Sequence, residues 1–300
     1  MNILMALVKR NTKLFFKDKG TFLTSLITPL ILLVLFISFL GNVYRDSFRS
    51  IIPEGIAIEK EWIEGFVGGW LFSSLLATSC VTVAFCANMI MVQDKVTSSR
   101  NDLTIAPVKS SILALSYYIS SCFITLIICY TVFIIGMIYL AIVGWYLSIT
   151  DVLLTMLDIF LLVLFGTALS SIINSFLQTQ GQIVAVSTVV SAFYGFICGA
   201  YMPMSQFSKG IQSFVSFLPG TYGTGLLRNH LMSGVLNEMK NNHIPDQLIQ
   251  ALQDGFDQHI YCLGHSVSIV SMYMIVTTTV LILIGIYVGI NVWFRKNKVK

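Results

Sequence analysis

Residues 112–143 read ILALSYYISSCFITLIICYTVFIIGMIYLAIV, without one Asp, Glu, Lys or Arg. A transmembrane helix needs about 20 consecutive apolar residues. This run exceeds that, so a helix built from it can tilt or protrude from a bilayer. A helix that is apolar on every side belongs inside a large core or inside a membrane. Five further runs repeat the pattern, at 21–43, 65–92, 152–173, 183–202 and 266–293. The composition decides between core and membrane. Of 300 residues, 56% are hydrophobic and only 11% charged, with a mean hydropathy of +0.82. An ordinary soluble domain is about 25% charged, and this chain has too few polar side chains to cover itself in water. Soluble enzymes, nucleic-acid-binding domains, disordered chains and secreted disulfide scaffolds are excluded. The expected fold is an all-α polytopic membrane protein of six transmembrane helices, one domain over residues 1–300.

The first run lies near the N-terminus but exceeds the apolar core of a signal peptide, and no small-residue cleavage site follows it. It reads as a retained span, kinked at Pro29. Six spans place both termini on one side. On that side fall twelve of the eighteen Lys and Arg residues and three of the fourteen acids, Asp18, Asp94 and Asp102. Ten acids fall on the other, and Asp158 alone lies within a span. Cations bias loops to the cytoplasm. The expected placement is a multi-pass protein of the cell membrane with both termini cytoplasmic.

The connections differ in kind. Residues 2–19 carry Ile3, Leu4, Leu7, Leu14 and Phe15 among five cations, the pattern of a helix lying in the inner interface. The outer segment 44–64 is mixed in charge and reads as a solvated cap. The inner loop 93–111 is polar, with Leu103, Ile105 and Val108 as an apolar patch and Pro107 as punctuation. Such an element either connects two spans or docks into a groove of another protein. Residues 203–229 are Gly-rich, broken by Pro203 and Pro219, and too short to cross, which reads as a re-entrant or interfacial segment. In the outer loop 229–265, Pro245 and Asp246 start an amphipathic helix that rests on the outer leaflet or on the bundle.

Catalytic patterns are absent. There is no P-loop and no Gly-Lys dipeptide, no zinc-protease or serine-hydrolase signature. His230, His243, His259 and His265 stand on the outer side at spacings that suggest no metal pair. Cys80, Cys86, Cys122, Cys129 and Cys198 lie in apolar runs and read as packing; only Cys262 does not. Asp158 reads as a partly solvated acid near a helix end, with a substrate-facing or Arg-paired role as the alternative. One acid is little for an ion-coupled carrier, so a pump of this kind has its motor on another chain.

Two stretches carry a family resemblance. The first is Asp94-Lys95, Arg100, Asp102, Leu103 and Pro107 in the inner loop, although the family's Glu/Arg pair followed by Gly-Thr is here Asp94-Lys95-Val96-Thr97. The second runs Gly199-Ala200-Tyr201-Met202-Pro203, then Leu218-Pro219-Gly220-Thr221-Tyr222, then Leu227-Arg228. With the basic N-terminal helix and the six spans, these resemble the permease subunit of a type-2 ATP-binding-cassette exporter over almost the whole chain. The resemblance implies that residues 94–107 couple to a separate ATPase, and that Gly199, Pro203, Pro219, Tyr222 and Arg228 belong to a re-entrant helical pair closing the outer gate. It implies two permease subunits, alike or similar, two ATPase copies that hold ATP and Mg2+, no cofactor on this chain and no nucleic-acid partner. The implied cargo is amphiphilic or hydrophobic: a drug, a small peptide or a lipid-linked molecule. An ion-coupled carrier or flippase is the alternative.

Overall fold

The computed structural model describes residues 3–53, 56–99, 103, 108–197, 199 and 201–298, with side chains up to residue 293. The first elements are α1 (Ile3–Lys17), α2 (Lys19–Leu35), a π turn (Phe36–Leu40) and α3 (Gly41–Ile51). Next come α4 (Lys60–Ala87), α5 (Met89–Val96), α6 (Ser110–Val143), α7 (Ile149–Phe176) and α8 (Gln180–Ile197). Then follow α9 (Lys209–Ser216), α10 (Pro219–Asn241), α11 (Asp246–Gly255) and α12 (Ile269–Lys298). A two-residue hairpin, Tyr261–Cys262 against His265–Ser266, is the one sheet among the described residues.

Among the described residues, six helical stretches are long and apolar enough to cross a membrane: Lys19–Ile51, Lys60–Val96, Ser110–Val143, Ile149–Phe176, Gln180–Ile197 and Ile269–Trp293. The protein is an all-α polytopic membrane protein. Helix starts follow local chemistry. Asp18 caps α2, its Oδ1 accepting from Gly20 N at 3.0 Å and its Oδ2 from the Thr21 hydroxyl at 2.7 Å. The Thr21 hydroxyl and backbone bonds hold the Asp18 carboxyl below its ordinary range. Helix α7 opens on a capping box in which Ser148 and Asp151 bond reciprocally.

The bundle is built around α4. In its most apolar stretch 94% of residues are buried, and it packs against α2, α6, α7, α8 and α10. The outer helices expose their apolar sides, Ile142 and Ile149 being 80% and 81% exposed. On α1, Leu7, Asn11 and Phe15 recur every fourth residue and are buried, so one face packs on α6.

Two connections differ from expectation. The segment after the first run is no solvated cap, because the helix continues to Ile51. Tyr44 and Phe48 turn inward, with Tyr44 against Trp70 at 4.2 Å between ring centroids and Phe48 against Phe66 at 5.1 Å. The outer loop is also largely helical. Helix α10 runs on to Asn241 and buries Leu231, Met232, Val235, Leu236 and Met239. Helix α11 begins at Asp246, and Leu248, Ile249 and Leu252 join the core, so its apolar side rests on the bundle.

Small residues make the burial of α10 possible. A Cβ on Gly69 of α4 would stand 2.7 Å from the Leu231 carbonyl oxygen, and one on Gly234 would overlap the Tyr146 carbonyl oxygen. Gly234→Ala therefore forces backbone apart rather than a side chain. An overpacking cost of about 1–3 kcal/mol is expected, read as a lower melting temperature of the detergent-solubilised protein. Unchanged melting would show that α10 does not sit as described.

Candidate functional site

At the end of the bundle that holds α1, the sequence supplies Arg10, Asn11, Asp94, Lys95 and Tyr117. Arg10 grips Asp94 with both Nη atoms, at 2.7 and 2.8 Å, and the Tyr117 hydroxyl donates to Asp94 Oδ2 at 2.6 Å. A bidentate guanidinium–carboxylate pair fixes orientation as well as distance. Hydrogen bonding to Asp94 raises the Arg10 pKa further, against the effect of burial. Asn11 Nδ2 donates to Ser120 Oγ at 3.3 Å. Helix α1 is thus locked to α5 and α6. Lys95 Nζ donates to the carbonyls of Asn174, Ser175 and Leu177 at 3.0, 2.8 and 2.9 Å. Those carbonyls close the C-terminus of α7, where a cation is favoured. Asp94 and Lys95 thus face the chain's own helices. Leu103 and Val108 pack on the cluster of Leu7, Phe15, Ile90, Met91 and Leu113. Val96, at the end of α5, is 44% exposed. Arg100, Asp102 and Pro107 lie outside the described residues.

At the opposite end Gly199 and Arg228 meet, close to the turn that follows Pro203. Gly199 has φ +69, a left-handed backbone that favours glycine. Its carbonyl accepts from Arg228 Nη2 at 2.5 Å. Pro203 is buried and precedes a short 3-10 turn, and Pro219 stands in the first turn of α10. The Tyr222 hydroxyl donates to the Ser216 carbonyl at 2.5 Å and folds α9 onto α10. Asp257 joins Arg228 to the turn after Pro203. It pairs with Arg228 Nη1 at 3.3 Å and accepts from the backbone N–H groups of Met204 and Ser205. Arg228 also lies over Trp70, 5.0 Å from its ring centroid, and Trp70 Nε1 donates to the Phe256 carbonyl at 2.9 Å.

Between the two ends sits Asp158. It is neither solvated nor paired with an arginine. Asp158 is 1% exposed, and its two oxygens meet His230 Nδ1 and the Tyr273 hydroxyl, each at 2.6 Å. The reason is α10, which turns back into the bundle and brings His230 with it. Asp158 stands nine residues into α7, about 14 Å along its axis, so surface water is not at hand.

The ABC-2 type transporter family profile matches residues 3–232. The chain belongs to that family. It is the permease component of such a transporter, the part without an ATPase site of its own. No curated protein matches the chain significantly. Among the described residues of the permease, no group of three or more His, Cys, Asp or Glu could hold a metal.

In the permease sequence, His230 and Asp257 could be put on the outer side, but nothing marked either as buried among other polar groups. The available signal was the number of glycines along α10. Gly220, Gly223, Gly225 and Gly234 each meet a neighbour that a Cβ would crowd, which marks a packed helix rather than a surface dip. Removing only the cation tests the outer pair. Arg228→Met leaves Asp257 buried and uncompensated, at an expected cost of about 3–5 kcal/mol. Adding Asp257→Asn removes the stranded charge and restores part of the loss. Thermal melting in detergent reads both, and an Arg228→Met permease as stable as wild type would refute the pairing.

Proposed function

We propose that the protein is the membrane subunit of an ATP-driven exporter whose motor is a separate ATPase. In this reading two permeases assemble with two ATPase copies, which bind ATP and Mg2+. Both termini face the cytoplasm, and the cargo is an amphiphilic or hydrophobic molecule moved outward across the cell membrane. The family membership supports the transport class, and the sequence contains no P-loop to bind nucleotide.

The observation that carries the two-subunit arrangement is α8. It is the least apolar of the six spans, and only 17% of it is buried. Gln180, Gln182 and Thr188 are exposed on it. The glutamines stand in its first turn and Thr188 bonds back to the Val184 carbonyl, so the face beyond them is the exposed apolar row Val184, Val189, Phe193 and Phe196. A second permease packed on that row is what this reading supplies. At the α1 end, the ATPase engages the surface formed by α1, the exposed end of α5 and residues 93–111. Its stroke reaches α6 and α7 through Asp94, Lys95 and the Leu103 cluster, which position that surface. At the far end the cluster of Gly199, Pro203, Pro219, Tyr222, Arg228 and Asp257 keeps the exit closed until the bundles shift.

Val96→Asp tests the coupling surface without opening the core. It is expected to abolish transport and loosen the bound ATPase while membrane insertion stays normal. Export by Val96→Asp at the wild-type rate would remove this surface from the mechanism.

The buried Asp158–His230–Tyr273 cluster favours a second reading, an ion-coupled carrier. Asp158→Asn decides between them. For the ATP-driven exporter, residual transport by the variant still stops on ATP depletion and ignores collapse of the proton or sodium gradient. Loss of transport with the gradient, but not with ATP, would make the protein a secondary carrier.

A further inference from the structure

A slot opens between α2, α4 and α6, and neither the family nor the export reading assigns it a role. One wall is Pro29, Leu30, Leu33, Phe36 and Ile37, and the opposite wall is Val132, Ile135, Gly136 and Tyr139. The floor is Leu71, Phe72 and Leu75 of α4, each no more than 4% exposed. The cavity itself is about 80 Å3, room for a narrow chain, and it opens into a wider mouth.

Three features of the backbone make the slot. Pro29 removes one ladder bond of α2. Seven residues on, the π turn Phe36–Leu40 widens the same helix at the slot's upper end. Single π turns inside helices are frequent at functional sites. On α6, Gly136 has no side chain, and a Cβ there would overlap the Phe72 ring. Phe72 can therefore lie flat against Phe133, with centroids at 6.1 Å and planes 11° apart, and form the floor.

The mouth faces sideways. Leu30, Ile37 and Ile135 are 56%, 64% and 53% exposed on helices that cross the membrane. A ligand reaches it from the bilayer, not from water. The lining is hydrocarbon except for Tyr139, whose ring lies 3.8 Å from where a Cβ on Gly68 would stand, one helical turn from Glu64. Arg45 Nε and Nη2 hold Glu64 Oε2 at 2.9 and 2.7 Å. A cation and an anion side by side complement a head group carrying both charges, its phosphate toward Arg45 and its amine toward Glu64. Because the floor is the buried central helix, the slot ends there as a seat for a bound molecule.

We propose that this slot holds one acyl chain of a zwitterionic membrane phospholipid, with its head group at Tyr139 and the Arg45–Glu64 pair. The site does not depend on what the permease transports or on what drives it.

The test uses the full-length chain in phosphatidylethanolamine vesicles containing a trace of phosphatidylethanolamine with a photoactivatable acyl chain. Labelled peptides are mapped after illumination. The expected labelling concentrates on residues 29–37, 72 and 132–139 and exceeds that at Ile142 and Ile149, which are exposed to the bilayer outside the slot. Ile135→Trp fills the mouth and should lose the concentrated labelling, while Ile142→Trp keeps it. Arg45→Gln should weaken it for phosphatidylethanolamine. Uniform labelling of all bilayer-facing positions in the wild type would overturn the proposal, and that measurement needs no variant to fold. Labelling of Ile135→Trp at the wild-type level would overturn it as well. A non-phospholipid amphiphile recovered from the slot by native mass spectrometry would replace the lipid with cargo.

Discussion

An arginine and a histidine two residues apart cannot sit inside an apolar bundle without partners, and Arg228 and His230 meet that constraint on opposite sides of α10. Arg228 is 0% exposed and finds Asp257 and the Gly199 carbonyl. His230 finds Asp158. Desolvating a charge costs several kcal/mol unless hydrogen bonds replace the lost water. These pairs therefore determine where α10 can lie. Asp257 draws the loop after α11 onto the end of α8, and Asp158 ties α10 to α7 and, through Tyr273, to α12. The core at the end away from α1 follows from those two attachments, with Trp70 and Phe256 packed beside Arg228.

The scarcity of charge takes on a sharper meaning in this light. Few ionisable residues lie deep in the protein, yet nearly every one at a junction between helices is paired. Arg10 joins α1 to α5, Lys95 joins α5 to the end of α7, and Arg45 joins α3 to α4. In water such pairs contribute about 0–1 kcal/mol. At helix junctions of a membrane bundle their value is geometric, because apolar surfaces alone give helices little reason to choose one register in lipid.

The spans were legible in the sequence because hydrophobic length is a one-dimensional property. Residues 112–143 could be read as a helix without knowing any neighbour, and α6 runs Ser110–Val143. The start of α11 at Pro245-Asp246 was legible for the same reason, since caps are local. What the sequence did not disclose depends on a partner far along the chain. Tyr44 and Phe48 looked like part of a solvated segment until Trp70 and Phe66 were placed beside them. Asp158 and His230 are 72 residues apart, and nothing local to either announces the other. Gly199, Pro203, Pro219, Tyr222 and Arg228 were visible as a group within one stretch of sequence. Asp257, the partner of Arg228, was not, because an aspartate in a polar loop is the commonest of surface residues.

The two polar clusters also bear on how force could cross the molecule. Helix α4 contacts elements at both ends and is buried throughout, so it cannot slide without repacking the core. Its break before α5 is different. Asn88 sits there with Nδ2 on Ser170 and Ser171 of α7 and Oδ1 accepting from Ser121 of α6. A polar hub at a helix break can exchange partners at less cost than a packed apolar turn, since each bond is worth about 1 kcal/mol net. Movement delivered to α1 and α5 would therefore pass to α6 and α7 at Asn88 and then along α7 to Asp158. There it meets α10, the helix whose other face carries Arg228. A rigid central helix, a polar joint at one end and a paired polar helix at the other form a connected route from the α1 end to the Arg228–Asp257 pair.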